Sequence, residues 1–108
     1  MKTLKFRPHL AEMILGGGKT ATWRLFDDKN LQVGDELNLQ NKEAGEDFAK
    51  AEILEIQEKK LSELQEADFE GHEKFEDQED MLKHYREYYG DKVDLNTLVK
   101  IIKFKLIR

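Results

Sequence analysis

The sequence predicts an α+β domain: a small mixed or antiparallel β-barrel with helices packed on its openings. Three observations predict it. The chain has 108 residues, enough for one core and not for two comfortable ones, so residues 1–108 are read as a single domain. Apolar periodicity gives the order strand, helix, strand, strand, strand, two helices, strand. The connections are turn-sized, and short strands so joined bury their apolar faces economically by curling into a barrel.

Each element has a local reason. Thr3-Leu4-Lys5-Phe6 alternates apolar and polar residues as a strand does, and Pro8 suits the first turn of a helix. Leu10, Met13 and Ile14 follow at helical spacing, so 9–15 reads as a short helix that Gly16, Gly17 and Gly18 stop. From Thr20 the period changes to two: Thr20, Thr22 and Arg24 share one strand face, and Ala21, Trp23 and Leu25 share the other, which is assigned to the core. Asp27 to Asn30 and Val33-Gly34-Asp35 read as turns before a strand at 36–39. Phe48 to Gln57 alternates imperfectly, which predicts a strand with a bulge. Ser62, Glu63 and the leucines around them suggest a short helix, and 75–89 a longer one with Met81, Leu82, Tyr85, Tyr88 and Tyr89 as its apolar stripe. Leu98, Ile102, Phe104 and Leu106 make a last strand.

Composition narrows the function. The chain is 39% hydrophobic and 38% charged, contains no cysteine, and carries a formal net charge of -5. Disulfides and thiolate zinc sites are therefore excluded. Charged residues interrupt the first twenty positions, and no apolar stretch approaches a membrane span, so a soluble, cytoplasmic protein without membrane partners is expected. The acidic balance argues against salt-driven binding to long duplex nucleic acid. Charge is also uneven: acids crowd 63–80, while Lys2, Lys5, Arg7, Lys19 and Arg24 lie early and Lys100, Lys103, Lys105 and Arg108 late. Pairing of the first and last segments would make one face basic; the alternative is that these residues are solvated strand faces.

Gly18-Lys19-Thr20 matches the end of a phosphate-binding loop, but Met13 stands where its first glycine belongs. A helix also precedes the glycines and a strand follows them, the reverse of the order such a loop needs. His9, His72 and His84 are too dispersed to define a metal site, and neither metal nor cofactor is expected. What remains is a polar constellation, Lys19, Thr22 and Arg24, that either decorates an exposed edge strand or points into a cleft where helix and barrel meet. Lys19 and Thr22 are an odd number of residues apart, so a flat strand would send them to opposite faces. Joint action requires the glycines to twist Lys19 out of the alternation.

The stretch Gly18-Lys19-Thr20-Ala21-Thr22-Trp23-Arg24, with Val33-Gly34-Asp35 and the later Ala67-Asp68-Phe69-Glu70-Gly71, resembles the ASCH domain, a relative of the PUA fold. The resemblance spans nearly the whole chain. It implies a barrel of five or six strands with a cleft lined by the motif lysine and arginine. It also implies binding of single-stranded RNA or a modified nucleoside or, as in small bacterial members, an amidohydrolase acting on N(4)-acetylcytidine. Carried over by motif, the catalytic set is Lys19 as base, Thr22 as nucleophile and Glu70 as acid or base, with Glu73 as the alternative carboxylate. Lys19, Arg24 and Trp23 are the expected ligand-binding residues, Trp23 as a stacking surface. A third class, a protein-interaction module, is suggested by the acidic helix and its tyrosines.

Overall fold

A computed structural model describes residues 1–107. The chain forms β1 (Lys2–Phe6), α1 (Pro8–Leu15), β2 (Ala21–Leu25), β3 (Glu36–Asn41), β4 (Asp47–Lys60), α2 (Gln78–Tyr89) and β5 (Leu98–Ile107). Two separate 3-10 turns, Leu61–Glu63 and Glu66–Phe69, replace the single short helix expected near Ser62. The long helix begins later than its apolar pattern suggests, because the Asp77 carboxylate accepts the Asp80 N–H at 2.8 Å and so caps a first turn that starts at Gln78.

All five strands form one sheet in the order β1-β3-β4-β5-β2. β1 runs parallel to β3, and every other pairing is antiparallel. Curvature comes from β4, which pairs with β3 through its first residues and with β5 along most of its length. The expected bulge lies where Ile53 opposes Phe104 and Glu55 opposes Lys103, leaving Leu54 unpaired and exposed. The result is a small α+β half-barrel whose open seam lies between its two edges, β1 and β2.

Of the early basic segments, β1 does not pair with β5, whereas β2 does, with Arg24 opposing Lys100. β5 sits inside the sheet because both its faces are apolar: Ile102 and Phe104 join Leu4, Phe6, Ile14, Leu37, Leu39 and Ile53 in the barrel core. Val99 and Ile101 point the other way, into a second cluster with Trp23, Leu25, Met81 and Tyr85 beneath α2. No basic face results at β5, where Lys100, Lys103 and Lys105 meet Asp27, Glu55 and Glu52 at 2.8, 3.7 and 4.0 Å. Of the apolar stripe of α2, Met81 and Tyr85 are buried, and Leu82, Tyr88 and Tyr89 are half-buried against the same cluster. No helix among the described residues is long and apolar enough to cross a membrane.

Candidate functional site

The open seam holds a cavity of ≈ 270 Å³, walled by the end of β1, the start of β2, the 72–73 segment and α2. Its position follows from three local devices. First, the glycines end α1 tightly: Gly17 takes φ +83°, and both Gly18 N–H and Lys19 N–H donate to Met13 O. Lys19 is thereby held outside the strand, which begins only at Ala21. Its side chain escapes the alternation of β2 and lines the same cavity as Thr22, although the two are an odd number of residues apart.

Second, Arg24 bridges the seam. Its Nη2 donates to Lys5 O at 3.1 Å, and its guanidinium lies 4.8 Å from the centre of the Phe6 ring. Third, the segment after the 3-10 turns docks on β2 through Gly71, whose carbonyl accepts the N–H groups of Thr20 and Ala21 at 2.9 and 3.1 Å. Gly71 has φ +74°, and a Cβ there would stand 2.0 Å from Thr20 Oγ1. Glycine is thus required twice over, by conformation and by space. This contact delivers His72 and Glu73 to the cavity.

The carboxylate that meets Lys19 is that of Glu73. Lys19 Nζ donates to Glu73 Oε2 at 2.7 Å, with the lysine 2% exposed and the Glu73 side chain 28% exposed. Glu70 is exposed and does not line the cavity, so the structure corrects the placement expected from the motif. The physical reason is the turn at Gly71, which directs the chain inward only from His72 onward. Burial pulls the Lys19 ammonium below its ordinary pKa, against the opposing attraction of Glu73. For Glu73, burial opposes ionisation, but its charged and hydrogen-bonded neighbours outweigh it and hold the carboxyl below its ordinary value. Lys19 is the partner that matters at neutral pH, because His72 is then uncharged.

His72 is buried, stacked on Trp23 with ring centres 4.1 Å apart and planes inclined by 15°. Its Nδ1 lies 2.7 Å from the Glu73 carbonyl, which can only accept, so the Nδ1–H tautomer is assigned and Nε2 faces Glu73 Oε1 at 3.6 Å. Desolvation, reinforced by the Lys19 charge, lowers its pKa to about 4. Trp23 is consequently no open stacking platform: it is 3% exposed, and His72 covers one of its faces. Half-buried His84, Tyr88 and Tyr89 supply the accessible aromatic wall instead. Dispersed in sequence, His72 and His84 come together here, and helical spacing back from the Tyr88 and Tyr89 stripe is the only sequence signal for His84. Two buried donors, Trp23 Nε1 and Arg24 Nε, have no acceptor among the described residues. Thr22 is buried beside them and opposes Ile102 across the sheet.

No protein-family model matches the sequence, and no curated protein matches it either. Solved structures do. Protein EF3133 from Enterococcus faecalis V583, described under the family model DUF984, superposes with a TM-score of 0.76 at 15% identity, covering 92% of this chain and 70% of that one. The ASCH domain from Lactobacillus crispatus JV V101 superposes with a TM-score of 0.72 at 17% identity, covering 97% of this chain and 79% of its own. The chain has the ASCH-domain fold. A third structure, that of hypothetical protein PH0355, is similar over 99% of this chain and 100% of that one, with a TM-score of 0.73 and 24% identity. The resemblance carried by Gly18 to Arg24 agrees with the ASCH fold.

Proposed function

We propose that this ASCH-fold protein is an amidohydrolase that deacylates an N(4)-acetylcytidine-type nucleoside in the seam cavity. The observation that carries the reading is the buried Lys19 ammonium held 2.7 Å from Glu73 in a cavity that Thr22 also lines. Burial of a lysine against a single carboxylate is costly as architecture alone and useful for moving protons. At ≈ 270 Å³ the cavity lies at the small end of the roughly 300–1,000 Å³ typical of ligand sites, suited to a base with its sugar rather than to a length of RNA. Half-buried His84 offers a face for the cytosine ring.

The proton bookkeeping closes on these residues. The Lys19–Glu73 pair shares a proton along its hydrogen bond, so the isomer with neutral amine and protonated carboxyl is the reactive form. The Thr22 hydroxyl attacks the acetyl carbon and its proton passes to the Lys19 amine, while Arg24 Nε donates to the oxygen that gains charge. The carbon–nitrogen bond breaks as Glu73 gives its proton to the leaving N(4) amine, which frees cytidine and leaves an acetyl ester on Thr22. Water then attacks the ester and yields its proton to Glu73. Collapse releases acetic acid as the Thr22 oxygen recovers its proton from Lys19.

The test is incubation with N(4)-acetylcytidine while cytidine and acetate are followed. Release of both in equal amounts by the wild type, reduced at least about 1,000-fold by Thr22→Ala, is expected. Absence of turnover in the folded protein refutes the reading. A second reading, in which the same cleft binds RNA or a nucleoside without hydrolysis, is favoured by the unpaired donor of Arg24 and the aromatic wall. It predicts ligand binding that survives Thr22→Ala.

A further inference from the structure

Five cationic side chains, Lys5, Arg7, Lys19, Arg24 and Lys42, line the cavity against one carboxylate, Glu73. This is a local inversion of charge on a chain whose formal net charge is -5. The inner two cations are engaged, Lys19 by Glu73 and Arg24 by Lys5 O. The outer three are different: among the described residues, Lys5, Arg7 and Lys42 form no ion pair, as is also true of Lys50 and Lys60 on β4, whereas Lys2, Lys59, Lys100, Lys103 and Lys105 of the sheet each meet a carboxylate.

The outer cations are also positioned. Lys42 N–H donates to Phe6 O at 2.8 Å, which fastens the β3–β4 loop to the end of β1 immediately before Arg7. The Arg7 guanidinium then lies 4.4 Å, and the Lys42 ammonium 5.5 Å, from the centre of one and the same ring, Tyr88 of α2. Two like charges converging on a single ring repel each other unless an anion joins them.

We infer that the mouth of the cavity recognises a phosphoryl group, so that the ligand is a cytidine-type nucleoside carrying a phosphate. The inference rests on the reading of the cavity as a nucleoside site. A phosphate brings a charge near -2 and several acceptor oxygens to two or three cations, a match that a neutral nucleoside cannot offer. Arg7 and Lys42 grip the phosphate at the rim against Tyr88, Lys5 adds long-range attraction, and the base enters toward Thr22 and Lys19. The phosphate can belong to a free mononucleotide or to the end of an RNA chain.

Binding of the unreactive products separates this inference from catalysis. Cytidine and cytidine 5′-monophosphate are titrated into the wild type and into the Arg7→Gln/Lys42→Gln variant by calorimetry at low and high salt. At low salt the monophosphate is expected to bind wild type at least about tenfold more tightly than cytidine. That ratio should approach one in the variant and in wild type at about 1 M salt, where screening reaches a few ångströms. Equal affinity of the two ligands for wild type at low salt overturns the inference, as does a ratio unchanged in the variant with its circular dichroism intact. A 5′-phosphorylated oligocytidylate forms the third arm. Binding tighter than the mononucleotide assigns the phosphate to an RNA end, and binding no tighter assigns it to a free nucleotide. Absence of acetylcytidine turnover alongside a retained phosphate preference would refute the amidohydrolase and leave the phosphate site standing. Turnover without that preference would do the reverse.

Discussion

Acidification from about pH 7 to pH 5, above the range in which the carboxylates titrate, should destabilise the fold chiefly through His72. The imidazole is buried on Trp23, its Nδ1–H is committed to a carbonyl, and its pKa is about 4 in the folded chain against about 6.5 when unfolded. A depressed folded value means that the unfolded chain binds the proton first, so stability rises with pH across this window. The contribution is fully present above pH 6.5, declines as pH falls, and is lost below about pH 4. The full interval is worth about 3 kcal/mol, and the part between pH 7 and pH 5 about 2 kcal/mol. For a domain of this size that part corresponds to a fall of roughly 10 °C in Tm. Thermal unfolding of wild type and His72→Phe, which keeps an aromatic ring on Trp23 and removes the titration, should be compared at both pH values. The variant should lose about 2 kcal/mol less than wild type over the interval. Equal losses in the two proteins would refute the reasoning, because they would mean that His72 titrates near its ordinary value.

Three further outcomes follow from the same geometry. Gly71→Ala should cost at least about 2 kcal/mol in chemical denaturation, the sum of a left-handed backbone penalty and the contact with Thr20. Pairing it with Thr20→Gly should recover the contact but not the backbone penalty. Glu73→Gln should lower acetylcytidine turnover about 100-fold or more, while Glu70→Gln, altered at an exposed position outside the cavity, should remain within about twofold of wild type. Lys19→Met should abolish turnover yet leave Tm within a few degrees of wild type or raise it. The apolar replacement removes a buried charge, and Glu73, with 28% of its side chain exposed, retains access to water. A large loss of stability in Lys19→Met would show that the pair is held for architecture.

Much of the fold is legible from period and punctuation. Pro8 and the three glycines delimit α1, the two-residue period from Thr20 marks β2, and the irregular alternation of 48–57 marks the bulge in β4. Helix α2 is legible in its stripe, although its start depends on the Asp77 cap rather than on apolar spacing. The order of strands is less accessible. Nothing local states that β5 lies between β4 and β2, and the double-sided apolar pattern Val99, Ile101, Ile102, Phe104 is the one hint that it is interior. Similarly, the lysines of β5 look like a basic face until their partners Asp27, Glu52 and Glu55 are brought across the sheet.

By itself, the sequence determined the elements and the presence of a Lys19, Thr22 and Arg24 constellation at the start of one strand, because such patterns depend on neighbours a few residues away. Only the tertiary structure decided that Lys19 leaves the strand's alternation to share a wall with Thr22. It also decided that Glu73 rather than Glu70 meets Lys19, and that Trp23 lies under His72 instead of standing open. Those outcomes depend on contacts between segments some fifty residues apart, above all the docking of Gly71 on Thr20. Residue order along the chain leaves a choice of neighbouring carboxylates, and a single glycine turn fitted against another strand removes it.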